Sequence, residues 1–190
     1  MLEFNATNHE YRLNGVVIPG VTSVLETAGL SDFSQVKQQT LELAAIRGSY
    51  VHQACELFDC KRLDIDSLDE EVAAYFGAWQ SFRYDFKPEF TLIEQRVFNP
   101  KLHYAGTLDR LGYIGDKNVL LDIKTGVKSF VHGPQLAAYA ACLPDEVSER
   151  WTVYLNVSGE YHIEHHNDPQ DWPVFLSALN VYNYKHKVRV

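Results

Sequence analysis

The spacing of apolar residues changes period several times along the chain, and each change marks an element. Short alternating runs on either side of Asn14-Gly15 in "EYRLNGVVIPGVTSVL" predict a hairpin, because that dipeptide accepts the positive φ of a two-residue turn. A helix start follows, where Ser23 and Glu26 have capping-box spacing. Residues 32–59 read as a helix that Gly48 can bend or break. A second helix covers 67–86, in which Val72, Tyr75, Phe76, Trp79 and Phe82 recur at helical spacing. That aromatic stripe belongs to a core rather than to a base-stacking platform. The period then shortens, and 90–98, 104–114 and 118–126 predict three strands. Residues 133–143 return to helix, with Pro134 suited to its first turn. Strands at 149–157 and 160–167 and a closing helix at 168–187 complete the chain. Helices, a meander, then helix, strands and helix predict a mixed α/β fold with helices flanking a central sheet. No repeat, low-complexity stretch or Pro/Gly-rich linker divides the 190 residues, so a single domain over 1–190 is expected.

Two of the predicted strands carry charge where a sheet favours Val and Leu. The stretch "GTLDRLGYIGDKNVLLDIKTG" holds Asp109, Asp122 and Lys124. With Gly115-Asp116 as a two-residue type II′ turn, Ile114 faces Lys117 and, counting outward, Asp109 faces Asp122. Opposed residues point to one face, and Lys124, two residues beyond Asp122, shares it. A four-residue turn keeps the face and sets Asp109 opposite Lys124 instead. Opposed carboxylates repel unless a positive charge lies between them. A hard divalent cation such as Mg²⁺ or Mn²⁺ answers that need, since it takes carboxylate oxygens while retaining water and substrate phosphate. Lys124 beside it is placed to serve the nucleophilic water or the developing negative charge, which makes a phosphodiesterase constellation. An Asp–Lys–Asp ion network on a half-exposed strand explains the three residues alone equally well.

Composition narrows this only in part. A hydrophobic fraction of 46% with 22% charged residues describes a globular protein rather than a disordered one. The net charge of −8 counts against nucleic acid as a partner, because phosphate binding favours basic surface. The charge is uneven, however: Lys101 to His132 holds five Lys or Arg against three Asp, and "YKHKVRV" adds three more basic residues. Cys55, Cys60 and Cys142 show no CxxC spacing, so neither a disulfide framework nor a cysteine-held cluster is expected. No run approaches a membrane span and the first residues lack a leader pattern, which makes the cytoplasm the expected location and a membrane partner unexpected.

Taken together, "GTLD", "LLDIKTG" and "PQLAAYA", with "RGSYVHQACE" and "VVIPGVTSVL" upstream, resemble the PD-(D/E)XK nuclease superfamily in its RecB-like exonuclease branch. Phage-type and mitochondrial genome maintenance exonucleases are the similar members. The resemblance runs from about Val16 to Tyr139 and implies a restriction-endonuclease-like core, a central mixed β-sheet flanked by α-helices. It implies a metal-dependent DNA exonuclease in which His52, Asp109, Asp122 and the Ile123 carbonyl hold Mg²⁺ or Mn²⁺. Lys124 is the catalytic lysine of the (D/E)xK motif, and Glu94 is a further catalytic or positioning glutamate. Gln135 and Tyr139 match the QxxxY motif on the substrate side, with Thr125 and Lys128 as phosphate contacts. Glu56, four residues after His52, is either its orienting partner or a surface glutamate. Leu108 stands where the motif name has Pro, and the four cysteines of the cluster-bearing members are absent. His162, His165 and His166 are expected on a polar edge strand. DNA is the implied partner, with a homo-oligomer or a recombination or replication protein as a further one. The rival reading is a nuclease-like fold that binds DNA or protein without catalysis.

Overall fold

The structure, a computed structural model, describes residues 1–5, 8–31 and 37–187 of the chain. Three short strands open it: β1 (Leu2–Asn5), β2 (Glu10–Leu13) and β3 (Val16–Ile18) form an antiparallel sheet in that order. Asn14 and Gly15 both have positive φ between paired Leu13 and Val16, as a type I′ turn requires. Helix α1 (Val21–Thr27) follows directly, with Gly20 as its N-cap, so Ser23 and Glu26 fall inside the helix and make no capping box. The entry is set instead by the sheet. Gly20 bridges to Ala105, whose N–H donates to the Pro19 carbonyl at 2.9 Å, and the first turn starts from that anchor.

Helix α2 (Gln38–Asp59) passes Gly48 without a break. A mid-helix glycine costs about 1 kcal/mol, and burial of Val51, Ala54 and Cys55 in the next turn offsets it. The first residues expected in this helix, 32–36, lie outside the described residues. After a single 3₁₀ turn at Ile65–Ser67, α3 (Glu70–Phe86) starts where the Asp69 carboxylate accepts from the Val72 N–H. Its expected stripe is buried at Val72, Phe76, Trp79 and Phe82.

Strands β4 (Glu89–Asn99), β5 (Tyr104–Ile114) and β6 (Lys117–Lys124) make the predicted meander. Helix α4 (His132–Ala140) then crosses to β7 (Glu149–Leu155), which runs parallel to β6; β8 (Tyr161–His165) and α5 (Asp171–His186) close the chain. The five-stranded sheet has the order β4-β5-β6-β7-β8, antiparallel except for β6–β7. This is an α/β fold with helices flanking a central mixed sheet.

The two faces explain why Val119, Leu120 and Leu121 are apolar in succession. Val119, Leu121 and Ile123 pack against α2 and α3 with Trp79 and Phe82. Leu120, between them, packs against α1, α4 and α5 with Leu136 and Phe175. Asp122 and Lys124 follow Leu120 on that second face by strand alternation. No described helix is long and apolar enough to cross a membrane.

Candidate active site

The turn between β5 and β6 has the tight form that the glycine favours. Ile114 pairs with Lys117, and only Gly115 of the two loop residues has positive φ, as a type II′ turn requires. The ladder ends at Arg110 opposite Leu121, and Asp109 and Asp122 are the next residues beyond that last pair. Both carboxylates are buried, at 8% and 2% exposure. Asp109 Oδ2 accepts from the Ile123 N–H at 2.7 Å, which fixes one carboxylate against the other strand.

Strand alternation fails at this point. Leu108 and Leu111, three residues apart, both enter the core beneath α1, α4 and α5. Across from Asp109, between the pairs Ile93–Arg110 and Gln95–Leu108, Glu94 has φ of 47°. A left-handed glutamate costs of order 1 kcal/mol or more and persists only where its surroundings hold it. What holds it is Arg110, fully buried, whose Nη1 donates to Glu94 Oε1 at 2.9 Å and to the Asp109 carbonyl at 2.7 Å. Arg110 Nε in turn meets Asp59 Oδ2 at 2.8 Å, and Arg83 Nε meets Asp59 Oδ1 at 3.1 Å.

His52 enters from α2. Its Nδ1 lies 3.6 Å from Asp109 Oδ2 and 3.8 Å from Glu94 Oε1, and one donor atom from each of the three residues falls within 4.8 Å of the others. Its Nε2 is 2.9 Å from the Ile123 carbonyl. A carbonyl only accepts, so Nε2 carries the proton, and neutral His52 turns the Nδ1 lone pair toward the carboxylates. A backbone carbonyl on the far nitrogen is the usual way a metal-binding imidazole is oriented. The donor set of one imidazole and two carboxylates therefore fits a divalent cation. Burial disfavours the His52 imidazolium, but Asp109 and then Glu94 outweigh it and raise its pKa above the usual histidine value. The negative charge that raises the His52 pKa is the same charge that would favour a cation at Nδ1.

Asp122 stands beside this group. Its Oδ2 is 2.7 Å from Lys124 Nζ, and its Oδ1 accepts from Gln135 Nε2 at 3.3 Å. Burial pushes the Asp122 carboxyl up, with Asp109 adding to the effect and Lys124 opposing it. For Lys124, burial acts downward but Asp122 and Asp109 outweigh it, so the group is held as an ammonium. Gln135 Nε2 also donates to the Tyr139 hydroxyl at 3.1 Å, which joins the two residues of the QxxxY stretch through one amide. Gly106 is required here, because a Cβ on it would overlap the Tyr139 ring.

These groups line a cleft of about 520 Å³ that also takes in Arg47, Gly48 and Thr125. His52, Glu94, Asp109, Asp122, Lys124, Gln135, Tyr139 and Thr125 are thus brought together, with the Ile123 carbonyl facing His52. Lys128 is exposed and outside the cleft lining, and Glu56 makes no hydrogen bond or ion pair with His52. His162, His165 and His166 sit on or just past edge strand β8, where His165 pairs with Glu149 and His166 meets Thr152.

Sequence reasoning did not single out Arg110, Asp59 or His132. A second charge directly beside Asp109 in a buried strand was the available signal for Arg110. His132 Nδ1 is 2.8 Å from the Tyr154 hydroxyl, which donates to Glu164 Oε2 at 2.7 Å; burial, and then Lys124, lower its pKa to about 4.

No family model matches the chain, and no curated protein does. A crystal structure, that of SSO0001, is similar over 61% of this chain at 16% identity, with a TM-score of 0.37. The likeness covers 57% of that protein's length and says nothing about activity.

Proposed function

We propose that the protein is a divalent-metal-dependent deoxyribonuclease acting on DNA ends. The observation that carries the reading is the convergence on one cleft of His52, Glu94 and Asp109 as donors with the Asp122–Lys124 pair beside them. His52, Glu94 and Asp109 would hold the ion, with Asp122 adjoining. Bound there, a divalent cation supplies charge neutralisation at the phosphodiester and a lowered pKa for the attacking water. Lys124, held as an ammonium, stabilises negative charge developing on the phosphoryl oxygens rather than acting as the base. Gln135 keeps Asp122 oriented through one hydrogen bond and lines the cleft beside it. The choice of DNA and of end-directed action follows from the resemblance to RecB-like exonucleases. The test is digestion of end-labelled single-stranded, duplex and circular DNA in Mg²⁺, in Mn²⁺ and in EDTA. Linear DNA is expected to be degraded only with metal. Cutting of circles would replace exonuclease by endonuclease, and inert linear DNA would leave a nuclease-like binding module.

A further inference from the structure

The arginine of the "RGSYVH" stretch has no part in the chemistry described so far. Arg47 lines the same cleft as His52, five residues and about 7.5 Å earlier along α2. Among the residues lining that cleft, Arg47 and Lys124 are the lysine or arginine side chains, and Lys124 is taken by buried Asp122 at 2.7 Å. Arg47 is held more loosely. Its Nη1 is 3.2 Å from Glu71 Oε1, a carboxylate whose side chain is 61% exposed, and its guanidinium lies over the Tyr75 ring. Its Nε is buried and meets no hydrogen-bond acceptor among the described residues. A buried N–H left unanswered is unfavourable and calls for an explanation. Burial shields Nε from an incoming ligand, so the edge of the guanidinium that matches the paired oxygens of a phosphate is the one Glu71 now holds at Nη1.

We propose that Arg47 binds a backbone phosphate of the nucleic acid, neighbouring the one under attack, and that Glu71 occupies the guanidinium when the cleft is empty. This rests on the nuclease reading and adds a subsite to it. The offset of more than one helical turn between Arg47 and His52 favours a phosphate next to the one under attack. Glu71 is then a competitor: the substrate displaces an exposed ion pair, which is weak, in exchange for a contact in a partly closed cleft. A cleft lined by three carboxylates gains phosphate affinity from a cation in the same lining.

The test uses full-length protein and fluorescein-labelled single-stranded and duplex oligonucleotides, with anisotropy read in Ca²⁺ across a salt series. Arg47→Gln is expected to weaken binding about tenfold. It should also reduce the slope of log K against log salt by about 0.7 on single strands and about 0.9 on duplex, the share of one phosphate. Glu71→Gln is expected to tighten binding by about threefold, a gain that damaged folding does not produce. In the double variant the gain should vanish, because the two residues act through one contact. An unchanged slope in Arg47→Gln, no gain in Glu71→Gln, or a gain that survives in the double variant overturns the subsite and leaves the nuclease reading intact. Wild-type protein that neither binds these oligonucleotides nor hydrolyses them in Mg²⁺ overturns both.

Discussion

Asp109 has two tasks that a single substitution can separate. One oxygen accepts from the Ile123 N–H and ties β5 to β6; the same carboxylate, with His52 and Glu94, makes the donor group. Asp109→Asn keeps the shape and removes the charge, so calorimetric titration with Mn²⁺ should show affinity lowered at least about tenfold. Lys124→Ala should leave Mn²⁺ affinity near the wild-type value, since an ammonium is not a ligand; a matching loss in Lys124→Ala would assign the lysine to the metal site instead. Gly106 is the other residue with a single-atom test. Adding a methyl group there forces the Tyr139 ring aside, and with it the amide of Gln135. Gly106→Ala should lower stability in urea by about 1–3 kcal/mol, the range for overpacking in a filled core.

Between elements, the chain Asp59–Arg110–Glu94 carries position from α2 to β4 through the middle of β5. Arg110 is fully buried against Trp79 and Phe90, so its charge depends on both partners. Asp59→Asn removes one of them, and the expected loss is about 3 kcal/mol in urea denaturation, as for other broken buried pairs. A loss below about 1 kcal/mol would show that Arg110 needs only Glu94. This network also marks the limit of what the sequence reveals. The turn chemistry of Gly115 and the period-two pattern of β6 make the facing of Asp109, Asp122 and Lys124 readable in advance. The QxxxY stretch places Gln135 and Tyr139 on one helical face, as observed. The break in alternation at Asp109 is not readable, because it depends on a left-handed Glu94 in a strand fifteen residues away in chain order. The capping-box pattern at Ser23 and Glu26 misleads for a related reason: a bridge from Gly20 to Ala105 overrides the local signal. Contacts distant in sequence decide both.

Over the whole molecule, acid stability and the proposed activity rest on different groups. His132 is buried in a chain of hydrogen bonds to Tyr154 and Glu164 with a pKa of about 4. An unfolded histidine titrates near 6.5, so between those values the unfolded chain binds the extra proton. The stability it reflects is complete above about pH 6.5 and is lost as pH falls toward 4, by at most about 3 kcal/mol. Urea midpoints at pH 7.5 and 4.5 should therefore differ less in His132→Asn than in wild type; equal differences would exclude His132 as a source. The proposed activity would depend instead on the cleft between α2 and the β5–β6 hairpin, where one face of a sheet and one helix supply all the proposed metal and phosphate groups. The most direct measurement is loss of end label from linear DNA with purified wild-type, Asp109→Asn and Lys124→Ala proteins, each in Mg²⁺ and in EDTA. The expected result is hydrolysis by wild type in Mg²⁺ alone, with both folded variants slower by about 10³-fold or more. Hydrolysis in EDTA, or undiminished hydrolysis by either folded variant, would contradict it.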